Sequence, residues 1–95
     1  MSRLRLVLAD DNYLVRQGVA ALLREVDSIE LVGTAESLDG LLRSVEENHP
    51  DVVLTDIRMP PSFSDEGIVA AKRIRADYPD TGVLVLSQFV EQDYA

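Results

Sequence analysis

Four short runs of strand-forming residues, separated by stretches of helical period, constrain this chain more than any other feature. The runs are Leu4 to Ala9, Ile29 to Ala35, Val52 to Thr55 and Val83 to Leu86. After the first, Val15, Val19, Leu22, Leu23 and Val26 follow spacings of 4, 3, 1 and 3, which predicts one buried helical face with Arg16, Gln17 and Arg24 largely outside it. After the second, Leu38, Leu41, Leu42 and Val45 repeat the pattern, and after the third Ile68, Ala71 and Ile74 line one side. The punctuation agrees. Asn12 and Ser37 are candidate N-caps, and "NHP" ends the second helix with His49 near its negative dipole end. Asp65 and Glu66 sit where a helix start favours acids, and Tyr78-Pro79 stops the third helix.

The order βαβαβαβ predicts a mostly parallel, doubly wound α/β sheet, because parallel neighbours need crossovers and the crossovers here are helix-sized. "DVVLT" and "GVLVLS" are continuously apolar, as strands covered on both faces are, whereas Glu30 interrupts "IELVGTA" and marks the second strand as an edge. At 95 residues the chain has room for one small core, so residues 1–95 are expected to form a single domain. With 46% apolar and 27% charged residues it should fold as an ordinary globular protein. No apolar run approaches the roughly 20 residues of a membrane span, and the start lacks a signal peptide, so a cytoplasmic location is expected. The absence of cysteine excludes disulfides, thiolate metal sites and thiol nucleophiles, leaving oxygen-bound metal as the remaining class. A formal charge of −8 opposes direct contact with nucleic acid or anionic lipid.

Against that frame of strands, the acids stand out. "RLVLADDN" delivers Asp10 and Asp11 at the end of the first strand, and "VVLTDIRMPP" delivers Asp56 at the end of the third. Ser87 ends the fourth. In open α/β sheets sites form beyond the carboxyl ends of the strands, near the point where strand order reverses. If strands one and three are neighbours, as in the order 2-1-3-4-5, three carboxylates converge. Their mutual repulsion asks for a cation, and a carboxylate cluster with backbone carbonyls nearby suits Mg2+. A carboxylate beside such an ion can attack phosphorus to form an acyl phosphate. Asp56 is the nucleophile candidate, Asp10 and Asp11 are metal ligands, the Arg58 backbone carbonyl is a further ligand, and the Ser87 hydroxyl can hydrogen-bond a phosphoryl oxygen. The Pro60-Pro61 pair is expected to shape the loop after Asp56.

The motifs "LVLADDN", "DVVLTDIRMP" and "VLVLSQ", in that order, resemble the receiver domain of two-component response regulators, and "DIRMPPSFSDEG" with "LSQFVEQDYA" resembles the NarL/LuxR type. The resemblance runs from Leu4 to Ala95. It implies a flavodoxin-like fold, Asp56 as phosphoacceptor, Asp10, Asp11 and the Arg58 carbonyl as Mg2+ ligands, and Ser87 as the switch hydroxyl. It also implies a sensor histidine kinase as partner and, in a longer gene product, a C-terminal helix-turn-helix that contacts DNA. The family's fifth strand, with its lysine and switch aromatic, and its fifth helix have no counterpart before Ala95. Lys72 falls in the third helix, and Phe89 and Tyr94 do not inherit the aromatic's role. Read literally, the domain is incomplete at its C-terminus. The expectation is then an exposed edge on the fourth strand, uncovered apolar positions on strands one and three, self-association and poor phosphotransfer. Two other readings differ in class. An aspartate-based Mg2+ phosphatase needs a second aspartate two residues on, where Arg58 stands; a pseudo-receiver would bind partners without phosphotransfer.

Overall fold

A computed structural model of the chain describes residues 3–86. It contains β1 (Leu4–Ala9), α1 (Tyr13–Arg24), β2 (Ile29–Ala35), α2 (Leu38–Asn48), β3 (Val52–Asp56), α3 (Glu66–Asp77) and β4 (Gly82–Leu86). The strands form one parallel sheet in the order β2-β1-β3-β4, so β2 is an edge strand as its interrupted sequence predicts. From β1 the chain winds outward to β2, then crosses back to β3 on the other side of β1. Right-handed crossovers in opposite directions put α1 on one face and α2 and α3 on the other. The reversal lies between β1 and β3, whose carboxyl ends carry the acids.

The two layers are filled differently. On the α2–α3 face, Val7, Val53, Leu41, Val45, Met59 and Ile74 are fully buried. Each such side chain contributes about 1.5–3 kcal/mol relative to exposure. On the α1 face, Leu6, Leu8 and Ala20 are buried, with Val19, Leu23 and Leu54 packed against them. The β1–β2 register slips between Leu6 and Val7, where Leu31 and then Gly33 are the partners and Val32 forms a bulge. A Cβ at Gly33 would stand 2.6 Å from the Ser44 Oγ, so glycine there lets α2 close onto the bulged strand.

Helix ends follow the predicted chemistry. The Asn12 side chain accepts from the Val15 N–H at 3.0 Å, and the Ser37 Oγ accepts from the Gly40 N–H at 3.1 Å. His49 caps α2 in the left-handed region, with φ 46°, and its ring meets Tyr78 edge-on at 5.8 Å. Lys72 lies on α3.

Two helical faces are rotated from the expected ones. Leu22 is 66% exposed and Val26 lies beyond the helix; α1 instead packs through Val19, Ala20 and Leu23. Likewise Ile68 is 41% exposed, because α3 buries Gly67, Ala70 and Ile74. The exposed apolar sheet surface also falls elsewhere than expected. β1 is covered, whereas Leu84 and Leu86 of β4 are exposed on the α1 side of the sheet, beside half-buried Leu54. The continuous apolar run of β4 therefore has one face against α3 and one open among the described residues.

Candidate functional site

β1 and β3 pair in register from Leu6–Val52 to Ala9–Thr55, so the next residues, Asp10 and Asp56, leave the sheet side by side. Asp11 follows at once. Carboxylate oxygens of Asp10, Asp11 and Asp56 all lie within 4.8 Å of one another. Asp10 is 6% and Asp56 9% exposed. Asp10 accepts from the Asn12 N–H at 2.8 Å, and Asp56 accepts from the Ile57 N–H at 2.8 Å.

Burial pushes the Asp56 carboxyl above the usual carboxylate range. The Ile57 N–H opposes that shift, the Asp10 and then Asp11 carboxylates add to it, and the Arg58 backbone N–H opposes it again. Apolar side chains stand beside the acids: a pocket of about 120 Å³, lined in part by Leu8, Val15, Leu54 and Leu86, reaches Asp10 and Asp56. Three hard oxygen donors converging where negative charge is costly fit a small divalent cation such as Mg2+.

Outside the cluster opens a cleft of about 610 Å³ lined by Asp11, Tyr13, Leu14, Asp56, Arg58 and Phe63, among others. Tyr13, Leu14 and Phe63 are 63%, 78% and 53% exposed, so an apolar rim surrounds an acidic floor. Arg58 thus lies at the site. Ser87 directly follows Leu86, the register partner of Asp56, and lies outside the described residues, as do Phe89 and Tyr94.

The loop from Ile57 to Asp65 is held at several points. Met59 is fully buried, its carbonyl accepts from the Phe63 N–H at 2.9 Å, and the Pro60 carbonyl accepts from the Leu38 N–H at 3.2 Å. The Pro60–Pro61 bond is cis. The Gly67 N–H donates to the Ile57 carbonyl at 2.7 Å, closing the loop onto the end of β3.

Three polar residues contribute that periodicity does not reveal. Arg16, expected outside, has a side chain only 13% exposed; it donates to the Asp10 carbonyl at 2.8 Å, stacks over Tyr13 and approaches Glu36 at 3.6 Å. Thr55 is buried and donates to the Asp56 carbonyl at 3.0 Å. Glu66, read as a dipole-favoured acid, is 4% exposed and accepts from the Ser62 and Ser64 backbone N–H groups and the Ser62 hydroxyl. These bonds, the Ser62 hydroxyl foremost, lower its pKa to about 2. The signal was present in "SFSDEG", where serines precede a glutamate at hydrogen-bonding distance along the chain.

Comparison with known proteins agrees with this architecture. Residues 6–95 match the family of the response regulator receiver domain. The chain is 37% identical over 91 residues to the uncharacterized transcriptional regulatory protein YhcZ of Bacillus subtilis (strain 168), covering 96% of this chain and 41% of that relative. It therefore spans well under half the length of the curated relatives it matches. Its fold is similar to the signal receiver domain of the putative response regulator NarL from Mycobacterium tuberculosis, with TM-score 0.85 and 32% identity over 98% of this chain and 73% of that one. It is also similar to the isolated REC domain of RcsB from Salmonella enterica serovar Typhimurium, solved in the presence of the phosphomimetic BeF3-, with TM-score 0.82 and 25% identity over 97% of this chain and 67% of that one. No helix of the described residues is long and apolar enough to cross a membrane. With the parallel order β2-β1-β3-β4, the acids at its reversal and a family match over nearly its whole length, the chain belongs to the response regulator receiver domain family, with relatives among NarL-type regulators.

Proposed function

We propose that this receiver accepts a phosphoryl group on Asp56 from a phosphohistidine of a sensor histidine kinase and so controls a transcriptional output domain in a longer protein. The observation that carries the reading is the convergence of three carboxylates within 4.8 Å at the β1/β3 reversal, beside an open cleft. A carboxylate oxygen of Asp56 attacks phosphorus; the new O–P bond forms as the P–N bond of the phosphohistidine breaks and its electron pair returns to the imidazole. Asp10, Asp11, Asp56 and the Arg58 backbone carbonyl would hold Mg2+. When bound, the ion offsets the negative charge of the carboxylates and the transferring group.

The chain's own groups do the rest. Ile57 and Arg58 backbone N–H groups orient the Asp56 carboxylate. Arg16 holds the Asp10 backbone from behind. The Ser87 hydroxyl would hydrogen-bond a phosphoryl oxygen and relay the change to the surface. The acidic chain would leave DNA contact to a C-terminal helix-turn-helix, in keeping with the name of its relative YhcZ, an uncharacterized transcriptional regulatory protein. A cytoplasmic location is part of the same proposal. Exposed Leu84 and Leu86 support self-association through β4 and its neighbourhood.

Titration of the full-length protein with beryllofluoride, a phosphoryl mimic, tests the reading. Tight binding that requires Mg2+ and is abolished by Asp56→Asn is expected. Equal binding by that variant, or binding indifferent to Mg2+, would contradict it.

A further inference from the structure

The loop between Asp56 and α3 contains an arrangement that the phosphoacceptor chemistry alone does not require. Glu66, at the first position of α3, is almost fully buried, and its two carboxylate oxygens are divided between two loop residues. Oε2 accepts from the Ser62 N–H at 2.6 Å and from the Ser62 hydroxyl, while Oε1 accepts from the Ser64 N–H at 3.0 Å. The residue between those serines is Phe63. Its backbone is in the left-handed region, φ 55°, which a bulky side chain adopts only where its surroundings dictate it. Its ring borders the same cleft as Asp11, Asp56 and Arg58.

We infer that Glu66 is a positioning residue which, by clasping Ser62 and Ser64, fixes Phe63 as a wall of the acceptor cleft, and that this wall restricts water's approach to a phosphoryl group on Asp56. The inference rests on the proposed phosphoacceptor role. Loss of the phosphoryl group by hydrolysis forms a bond from water oxygen to phosphorus, breaks the bond from phosphorus to the Asp56 oxygen, and releases inorganic phosphate with the carboxylate regenerated. A water must reach phosphorus opposite the aspartyl oxygen, and it must enter through the cleft that Phe63 lines together with Asp56. An apolar ring there offers no hydrogen bond to a water and occupies its path. Glutamate suits the clasp because both its oxygens accept. Glutamine would present an amide NH2 to one of two backbone donors, breaking that half of the clasp without changing its volume.

The test uses the full-length protein, labelled with phosphoramidate in Mg2+ and freed of donor. In Phe63→Ala and in Glu66→Gln the aspartyl phosphate should decay at least about threefold faster, and the double variant should decay no faster than Phe63→Ala alone, as residues acting as one unit do. A second readout needs no phosphoryl transfer: the indole introduced by Phe63→Trp should change its emission on Mg2+ addition, and adding Glu66→Gln should reduce that response at least about threefold while circular dichroism shows a folded chain. Lifetimes unchanged in either single variant, or a multiplicative loss in the double variant, would overturn the inference while leaving the phosphoacceptor role intact. If no label appears at Asp56 even in the unmodified protein, the phosphoacceptor role fails and the water-shielding inference fails with it. An indole response unaffected by Glu66→Gln then overturns the positioning claim as well.

Discussion

Replacing Gly67 by alanine sets a local rule against a tertiary one, and the two predict opposite signs. Gly67 is the second residue of α3, where alanine would gain up to about 1 kcal/mol in helix propensity. A Cβ at that position, however, would lie 2.0 Å from the Asp56 carbonyl oxygen and 2.9 Å from both the Asp56 carbonyl carbon and the Ile57 Cα. These are backbone atoms at the end of a paired strand and cannot swing aside. The start of α3 would have to retreat by more than an ångström, disrupting the hydrogen bond from the Gly67 N–H to the Ile57 carbonyl. Overpacking of this kind costs about 1–3 kcal/mol and the weakened hydrogen bond about 0.5–1.5 kcal/mol. After the propensity gain, a net loss of about 1–3 kcal/mol is expected. For a domain of this size that corresponds to a midpoint lower by roughly 4–8 °C per kcal/mol. Urea denaturation and thermal melting of Gly67→Ala measure the loss directly, and Mg2+ affinity should fall with it because Asp56 is displaced. A stability equal to or above the unmodified protein would refute the close-approach argument.

Other outcomes follow from the site's electrostatics. Because the folded Asp56 pKa lies above 3.8, its ionisation costs stability as pH rises through that raised value. Asp56→Asn should therefore melt higher than the unmodified protein at neutral pH without Mg2+, and the gap should close at acid pH. Glu66 has the opposite sign: with a folded pKa near 2 against 4.5, its stabilisation is complete above pH 4.5 and is lost as pH falls toward 2, so Glu66→Gln should flatten that limb of a stability–pH curve. Asp11→Ala should weaken Mg2+ binding by at least about tenfold in a calorimetric titration, since one of three carboxylates goes while the fold keeps Asp10 and Asp56.

The strands were legible because β-branched and aliphatic runs recur at helix-sized intervals, and parallel pairing then leaves few arrangements. The acid cluster was legible for the same reason: residues that follow paired strands must emerge on one rim, and Asp10 and Asp56 follow the last β1–β3 pair. Helix faces were harder. α1 and α3 carry more apolar residues than the sheet covers, so spacing alone does not choose between Leu22 and Ala20, or between Ile68 and Ala70; small residues win where helix and sheet approach closely. Arg16 and Glu66 escaped for another reason. Both are buried by hydrogen bonds to particular backbone groups, which depend on how a strand end and a loop lie in space and leave no periodic trace.

The most direct test of the account is to locate the phosphoryl group. The full-length protein, incubated with acetyl phosphate and Mg2+, is digested under mild conditions and its peptides are mapped by mass spectrometry. A single modification on Asp56, lost in strong acid, in base and on treatment with hydroxylamine as an acyl phosphate is, and absent when Mg2+ is chelated, is predicted. A modification on Asp10, Asp11 or a hydroxyl residue instead, or labelling that proceeds equally without Mg2+, would contradict the assignment of Asp56 as the acceptor in a metal-dependent carboxylate cluster.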